Sequence, residues 1–570
     1  MKQLEALSIA TPGFFGLNTQ ESGVTLSPNF AEVADNVIID KYGRLGARKG
    51  WAMQTTTGSA QLGGNAVQFI FEHANTDDTL DILSAGNNKV FTGGVGAVLT
   101  DVTPAGYTIT NNDWSAANLA NTTLLVQQGQ EPLVYNTAGT PVVQTLTTFT
   151  GLAQNFGTEY PDGVIAAWGR YWAFTKDKVY WSTDVADGNF PAFNGGSSGS
   201  IAIAAVLPDN TDDITSIAAH NNFLVIFCRH HVVLYTGADN PLAISFGLQD
   251  VIVGVGCIAH HSVQNTGNDL IFLSDTGIRS LGRLLQEKSL PMRDLTVNVR
   301  DDLLNDVSTE IDITGDLDSI CSVYSEINAF YLLSFPAINT VYCLDMRSAL
   351  ENGASRVTVW NQYSANALVR LRDRDVLIGK VNGIGKYTGY TDNTASYRIR
   401  YYSHYFDFGS PTTNKKISAT ILGGANQQFT IKVGTDYDSA HRSYPFVLQA
   451  GEIFEYDVDK FVTYLEFKGV VANYAALPLS PTIGDAYMTT DNNNVYQWSG
   501  SVWTDVTSTW KTTFTVTGYS EFSKGIVLER IKSSVGGYGS TIQIGFETDV
   551  DNAELSVQKL DVFVKMGRIE

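Results

Sequence analysis

An apolar strand, a short polar turn and a second strand ending in an aliphatic–aromatic pair recur along the first two-thirds of this chain. The pairs Val90-Phe91, Val134-Tyr135, Val179-Tyr180, Leu234-Tyr235 and Val341-Tyr342 mark the pattern, with Ile278 and Lys386-Tyr387 at equivalent points. Most steps between these marks are 44 or 45 residues, and two are longer, 55 and 63. A period of that length made of strand pattern alone is the mark of β-propeller blades, four-stranded meanders that bury their faces only against one another. The long steps hold a Gly/Ser loop at Asn194–Ser200 and the segment Leu284–Leu317. Within the latter, "LTVNVRDDLLNDV" (Leu295–Val307) has the apolar spacing of a short helix. The expected propeller covers residues 61–393 and has six or seven blades.

Composition agrees with an all-β chain. Only 17% of residues are charged, 52 are glycine, and Thr, Val, Asn and aromatics crowd the sequence. The net charge of −21 opposes duplex DNA binding by counterion release. Cys228, Cys257, Cys321 and Cys343 lie far apart in apolar strand contexts and read as reduced core residues. No apolar leader follows the N-terminus and no apolar window is long enough for a membrane span.

Past Gly389 the strand spacing changes. Residues 394–570 read as a β-sandwich-like platform, interrupted at 472–512 by a small β module with its own turns and a Trp pair. Tyr487, Tyr496, Trp498 and Trp503 of that module are too many aromatics for so short a stretch to bury, and are candidate contacts for a partner protein or a glycan. Residues 1–60 read as an arm packed on the platform. Ser27 and Pro28 have the chemistry of a helix start, so "NFAEVADN" is expected to form a short helix. Arg44, Arg48 and Lys49 in the following basic turn are candidate contacts to other subunits or to an adaptor. So are Arg398, Arg400, Lys415 and Lys416, which are interleaved with Tyr401, Tyr402, Tyr405 and Phe406 on what reads as a sheet edge.

Catalytic signatures are weak. "GGSSG" (Gly195–Gly199) lacks the strand–helix context of a nucleophile elbow, and "GVGCIA" (Gly254–Ala259) lacks a βαβ unit. His230-His231 and His260-His261, taken as strand neighbours, point to opposite faces and do not chelate locally. The acidic stretches at Asp312–Asp318 and "TDYDSAH" do not have EF-hand spacing. No catalytic residue, metal ligand or cofactor is expected. The aromatics Trp168, Trp172 and Trp181 read as packing between blades, and alternatively as a carbohydrate platform facing the propeller axis.

The order of parts resembles one family. G-L-N-x-x-x-S-G-V-x-L at Gly16–Leu26, A-x-x-A-D-N at Ala31–Asn36 and G-R-L-x-x-R-x-G at Gly43–Gly50 are similar to the start of the nozzle proteins of short-tailed bacteriophages, also called tail tubular or packaged-DNA stabilisation proteins. Ile271–Val307, Tyr405–Asp438 and the C-terminal strands look like later parts of the same family, and only the inserted module departs from it. The insert resembles small G-D-x-Y…W-x-G-x-x-W modules of phage tail proteins. The resemblance implies a non-enzymatic virion protein assembled in the host cytoplasm. It implies a homohexameric ring beneath the portal's adaptor ring that carries tail fibre, spike or needle proteins and passes double-stranded DNA without specific binding. A carbohydrate-binding or carbohydrate-active propeller is the alternative.

Overall fold

In the computed structural model the described residues are 4–10, 13–22, 25–56, 60–154, 156, 159–185, 190–207, 212–286, 294–410, 415–425, 428–435, 442–447, 467–492, 494–505, 521–523, 526–533 and 538–566. Four antiparallel four-stranded sheets follow one another at residues 69–101, 115–145, 163–202 and 214–253, each a meander in chain order. A fifth sheet is three-stranded (264–280), a sixth spans 321–361, and a seventh combines Ala367–Arg370, Val376–Lys380 and Gly383–Tyr387 with Trp51–Met53 from the N-terminal arm. The chain is a seven-bladed propeller among the described residues, closed by its own N-terminal strand.

The recurrent aliphatic–aromatic pairs all fall on the third strand of a blade, from Lys89–Gly93 in the first to Gly383–Tyr387 in the seventh. Their side chains fill the seams between blades, as Val134 and Tyr180 do, with Tyr171 of a second strand, between the second and third. Burying each such pair stabilises the ring by several kcal/mol, roughly 1.5–3 per fully buried large side chain. The 63-residue step is long because two helices follow the fifth blade, Leu281–Gln286 and Arg300–Thr314. The longer one buries Leu303, Val307 and the carboxylate-bearing Glu310. Glu310 is satisfied by Ser319 Oγ at 2.7 Å and the Ala337 and Ile338 amides at 3.1 and 3.3 Å. Gly315, at φ +90°, ends this helix in the left-handed conformation that glycine tolerates best.

The platform is a sandwich of two sheets sharing one core. One contains Leu4–Ala10, Val37–Ile39, Leu45–Ala47, Leu555–Met566, Lys415–Ala425 and Ile526–Ser533. The other contains Tyr397–Phe406, Ile542–Val550, Gln428–Thr435 and Arg442–Val447. Through Gly16–Leu17 and Phe30–Asp35 it continues hydrogen bond by hydrogen bond into the sixth blade. Leu560, Val562 and Val564 from one layer and Tyr401, Ile544 and Phe546 from the other lie in a single buried cluster with Leu303 and Tyr342 of the propeller side.

The arm corrects two expectations. "NFAEVADN" is a strand rather than a helix: Phe30–Asp35 pairs antiparallel with Tyr397–Phe406 and parallel with Gly16–Leu17. Pairing on both sides satisfies more backbone groups than two turns of helix, and it buries Ala31, Ala34 and Asp35. Tyr397–Phe406 is not a sheet edge either, because it is paired on both sides, by Phe30–Asp35 and Ile542–Val550. The inserted module is a separate four-stranded sheet of Phe467–Val471, Ala486–Thr489, Val495–Trp498 and Trp503–Asp505. It therefore begins before Ala472, and residues 506–512 lie outside the described residues.

Candidate functional site

The first strand of each blade stands innermost, and together these strands enclose an axial cavity of about 640 Å³. All seven run away from the same end of the axis, so the residues just before or at their starts form one mouth. Gln68, Asp113, His260, His261, Asp318 and Asn366 meet there from five different blades and connections. Further along the same strands, at ~3.3 Å per residue, Phe71, Ile165 and Leu368 make half-buried apolar walls.

His260 and His261 lie on a single 3₁₀ turn, His260–Ser262, not on a strand, so their rings are neighbours with centroids 4.7 Å apart. That corrects the expectation of opposite faces. His261 Nε2 lies 2.5 Å from Asp113 Oδ1, and His260 Nδ1 lies 3.2 Å from Ser216 Oγ. The edge of Phe174 packs on the His260 ring at 5.3 Å. Burial and the neighbouring His261 push His260 down to about 3, which keeps it neutral. Burial works against the charged form of His261 as well, but the Asp113 carboxylate outweighs it and holds His261 above the ordinary histidine value. Asp113 is held correspondingly low: burial opposes its charge, and His261 prevails.

Two further carboxyls are perturbed upward. Desolvation within the concave mouth, where Asp318 still keeps a solvent-facing surface, together with Asp113 and Asp316 nearby, raises Asp318 to about 6. Asp162 rises to about 6 by burial and by Glu159, Asp318 and Asp113, against the pull of Lys176. The mouth is thus a set of mutually repelling carboxylates, with His261 paired to Asp113 and one lysine nearby. The hydroxyl and the carboxylate engage different imidazoles, Ser216 with His260 and Asp113 with His261, so a nucleophile–base–acid relay is not assembled. Among the described residues no group of three His, Cys, Asp or Glu side chains has metal-holding geometry. Sequence reasoning missed this mouth because its members come from connections some fifty residues apart.

The expected contact residues divide. Tyr487, Tyr496, Trp498 and Trp503 do come together. Tyr487 pairs with Tyr496 and Trp498 with Trp503 across adjacent strands, all on one half-exposed face. The Trp498 and Trp503 rings lie 5.4 Å apart, Tyr487 meets Trp503 edge-on at 5.8 Å, and Tyr474 covers Tyr496 at 4.9 Å.

Arg44 and Arg48 are not available to another subunit. Arg44 is buried against Asp40 at 2.6 Å and over the Tyr42 ring. Arg48 is fully buried, with a two-pronged ion pair to Asp392 at 2.8 and 2.7 Å and the Tyr397 and Tyr363 rings at 3.9 and 4.5 Å. Lys49 is half-buried beside them. Arg398 and Arg400 point to solvent from a mid-sheet strand and are engaged by Glu547 and Asp35 respectively. Lys415 and Lys416 begin a strand that pairs with Leu555–Met566, and their side chains lie outside the described residues.

The Trp platform expected at the axis is also overturned: Trp172 and Trp181 are buried between the third and fourth blades, with the partly buried Trp168 and Phe246 packed on them, and none of the four lines the axial cavity. His231 Nδ1 is taken up by the buried Asp212 at 2.8 Å. Gly188–Ser200 and Gly282–Pro291 read in the sequence as loops that could constrict a DNA channel; residues 282–286 instead belong to a helix, and 188–189 and 287–291 lie outside the described residues.

No protein-family profile matches the chain, and no curated protein is similar to it in sequence. Solved structures similar to it include a streptogramin B lyase, 11% identical over 60% of this chain and 97% of that one, with a TM-score of 0.33. YCF48 bound to the D1 peptide is 9% identical over 60% of this chain and 98% of that one, at 0.36. The extracellular domain of the one-component system BT4673 of B. thetaiotaomicron is 10% identical over 87% of this chain and 51% of that one, at 0.30.

Proposed function

We propose that this chain is a structural tail protein of a short-tailed bacteriophage, the nozzle subunit of a homohexameric ring beneath the adaptor. In this reading it belongs to the virion, performs no catalysis and lines a conduit for double-stranded DNA. The observation that supports it best is the uninterrupted sheet running from the sixth blade through the arm into the platform. A subunit that transmits load between an adaptor and a fibre gains from having its two bodies hydrogen-bonded into one. A net charge of −21 leaves a passing phosphate backbone unheld. The aromatic face of the inserted module is the natural attachment point for a fibre, spike or needle protein or a surface glycan.

Negative-stain imaging of tail assemblies from particles carrying the protein tests the reading. Six-fold rings that co-purify with the adaptor are expected. A different fixed stoichiometry, or absence of the chain from particles, overturns it.

A further inference from the structure

The axial cavity pairs an electronegative mouth with apolar walls, and the ring-subunit reading leaves it unused. We infer that it is a binding site for an organic cation with an apolar body, the ammonium or guanidinium group held at Asp113 and Asp318 and the body lying against Phe71, Ile165 and Leu368. Three features carry the assignment.

The cavity, at about 640 Å³, is the size of a small-molecule site, and its entrance is lined from several blades by side chains that the rigid ring fixes in place. The long helix Arg300–Thr314 ends at the mouth, so Thr314 and Asp316 bring the negative end of its dipole to the same place as the carboxylates. The walls are half-buried apolar side chains that pack on the blade seams and leave part of their surface facing a concave site, where a ligand can cover it and bulk protein cannot.

Charge sign excludes the opposite class of ligand. Facing the mouth or close to it are Asp113, Asp162, Asp316, Asp318 and Glu159 against His261 and Lys176, with His260 neutral. An anion would enter against a net negative field. Because Asp162 and Asp318 titrate near 6, the attraction is full at pH 7.5 and weakens as the pH falls through 6. His261 works in the same direction, since protonating it at low pH adds positive charge.

Calorimetric titration of the full chain with phenethylamine at pH 7.5 tests this. Saturable binding at one site is expected, with 2-phenylethanol and hexanoate at least about tenfold weaker, the difference a single well-placed charge makes. Asp318→Asn, at a solvent-facing position that leaves the fold intact by its unfolding midpoint, is expected to weaken phenethylamine about tenfold. So is lowering the pH to 5. Leu368→Asn is expected to weaken phenethylamine while leaving ammonium ion alone unaffected. No saturable binding, equal binding of hexanoate, or affinity indifferent to both Asp318→Asn and pH overturns the assignment. Binding of an oligolysine peptide without phenethylamine overturns it in favour of a basic protein segment. None of these outcomes bears on ring assembly, which the imaging reads separately.

Discussion

Lys380 is the residue at which the fold's electrostatics can be measured most directly. It ends the strand Val376–Lys380 of the closing blade and is 5% exposed. Its ammonium lies 4.5 Å from the centroids of both Trp51 and Tyr363, and it donates to the Tyr363 and Ser364 carbonyls. Arg48 sits over the same Tyr363 ring, so two cations share one aromatic box with Asp392 as their carboxylate. Burial takes Lys380 from its ordinary 10.5 down to about 7, with Asp392 opposing the fall and Arg48 adding to it.

A lysine whose folded value lies below its unfolded value binds more protons unfolded than folded between those two values, so stability rises with pH across that window. Below pH 7 both states are protonated and the cost of the buried charge is constant. Above about 10.5 both are neutral and the cost is gone. At ~1.4 kcal/mol per pH unit the window of three to four units corresponds to about 4–6 kcal/mol. Lys380→Met removes the titration and keeps an unbranched apolar stem, at the expense of two carbonyls left without their donor, about 1–3 kcal/mol. Other buried groups titrate too, among them Cys228 and Tyr387, so the readout is the difference between the two proteins. Urea unfolding followed by tryptophan fluorescence at pH 6, 7.5 and 9 is expected to show wild type gaining on Lys380→Met at each step. A difference that stays constant with pH refutes the reasoning, because the ammonium would then be solvated or fully compensated.

Arg48→Met leaves Asp392 without its two-pronged partner and is expected to cost about 3–5 kcal/mol, seen as a lower urea midpoint. Gly163→Ala places a methyl group against the Phe174 ring and 2.9 Å from His260 Cε1. A loss of about 1–3 kcal/mol is expected, with a shift of the His260 and His261 imidazole resonances. Trp498→Ala with Trp503→Ala is expected to leave the main unfolding transition in place, since among the described residues their ring contacts are with the module's own aromatics, and to abolish partner binding. Electrophoretic mobility shift at ~150 mM salt is expected to show no duplex DNA retained, and tight binding that weakens steeply with salt would refute the inert-conduit reading.

The propeller was legible because its period is carried by third strands, where aliphatic–aromatic pairs are forced by inter-blade packing. What escaped was whatever pairing partners decide. "NFAEVADN" has helix-start chemistry at Ser27 and Pro28, yet two waiting strands outweigh it. Arg398 and Arg400 alternate with buried residues in the way an edge or a central strand equally would, and only the arrival of Phe30–Asp35 decides between them. The axial mouth was hidden differently. Its signal is a polar residue within three positions of the start of several innermost strands, Gln68, Asp113, His261, Asp318 and Asn366, and it carries no local apolar period to draw attention.

The same physics bears on the family resemblance, because the motif positions of the first fifty residues turn out to build a joint. Gly16 is at φ +82° with its α-carbon against the Val357 backbone, so any side chain there would part the arm from the sixth blade. Asn36, at φ +56°, donates to the Arg398 carbonyl and accepts from Arg48 Nε at 2.9 Å, linking platform to arm. Gly43 makes the turn that lets Asp40 hold Arg44, and Gly50 passes against the Thr391 backbone where no Cβ fits. Arg48 then locks the arm to Asp392 at the end of the closing blade. Each of these residues is required by a chain that clasps a propeller to a sandwich with its own N-terminus, whatever the assembly does. The motif therefore reports an architecture. The function must be decided at surfaces that the joint leaves free, the axial mouth and the aromatic face of the inserted module.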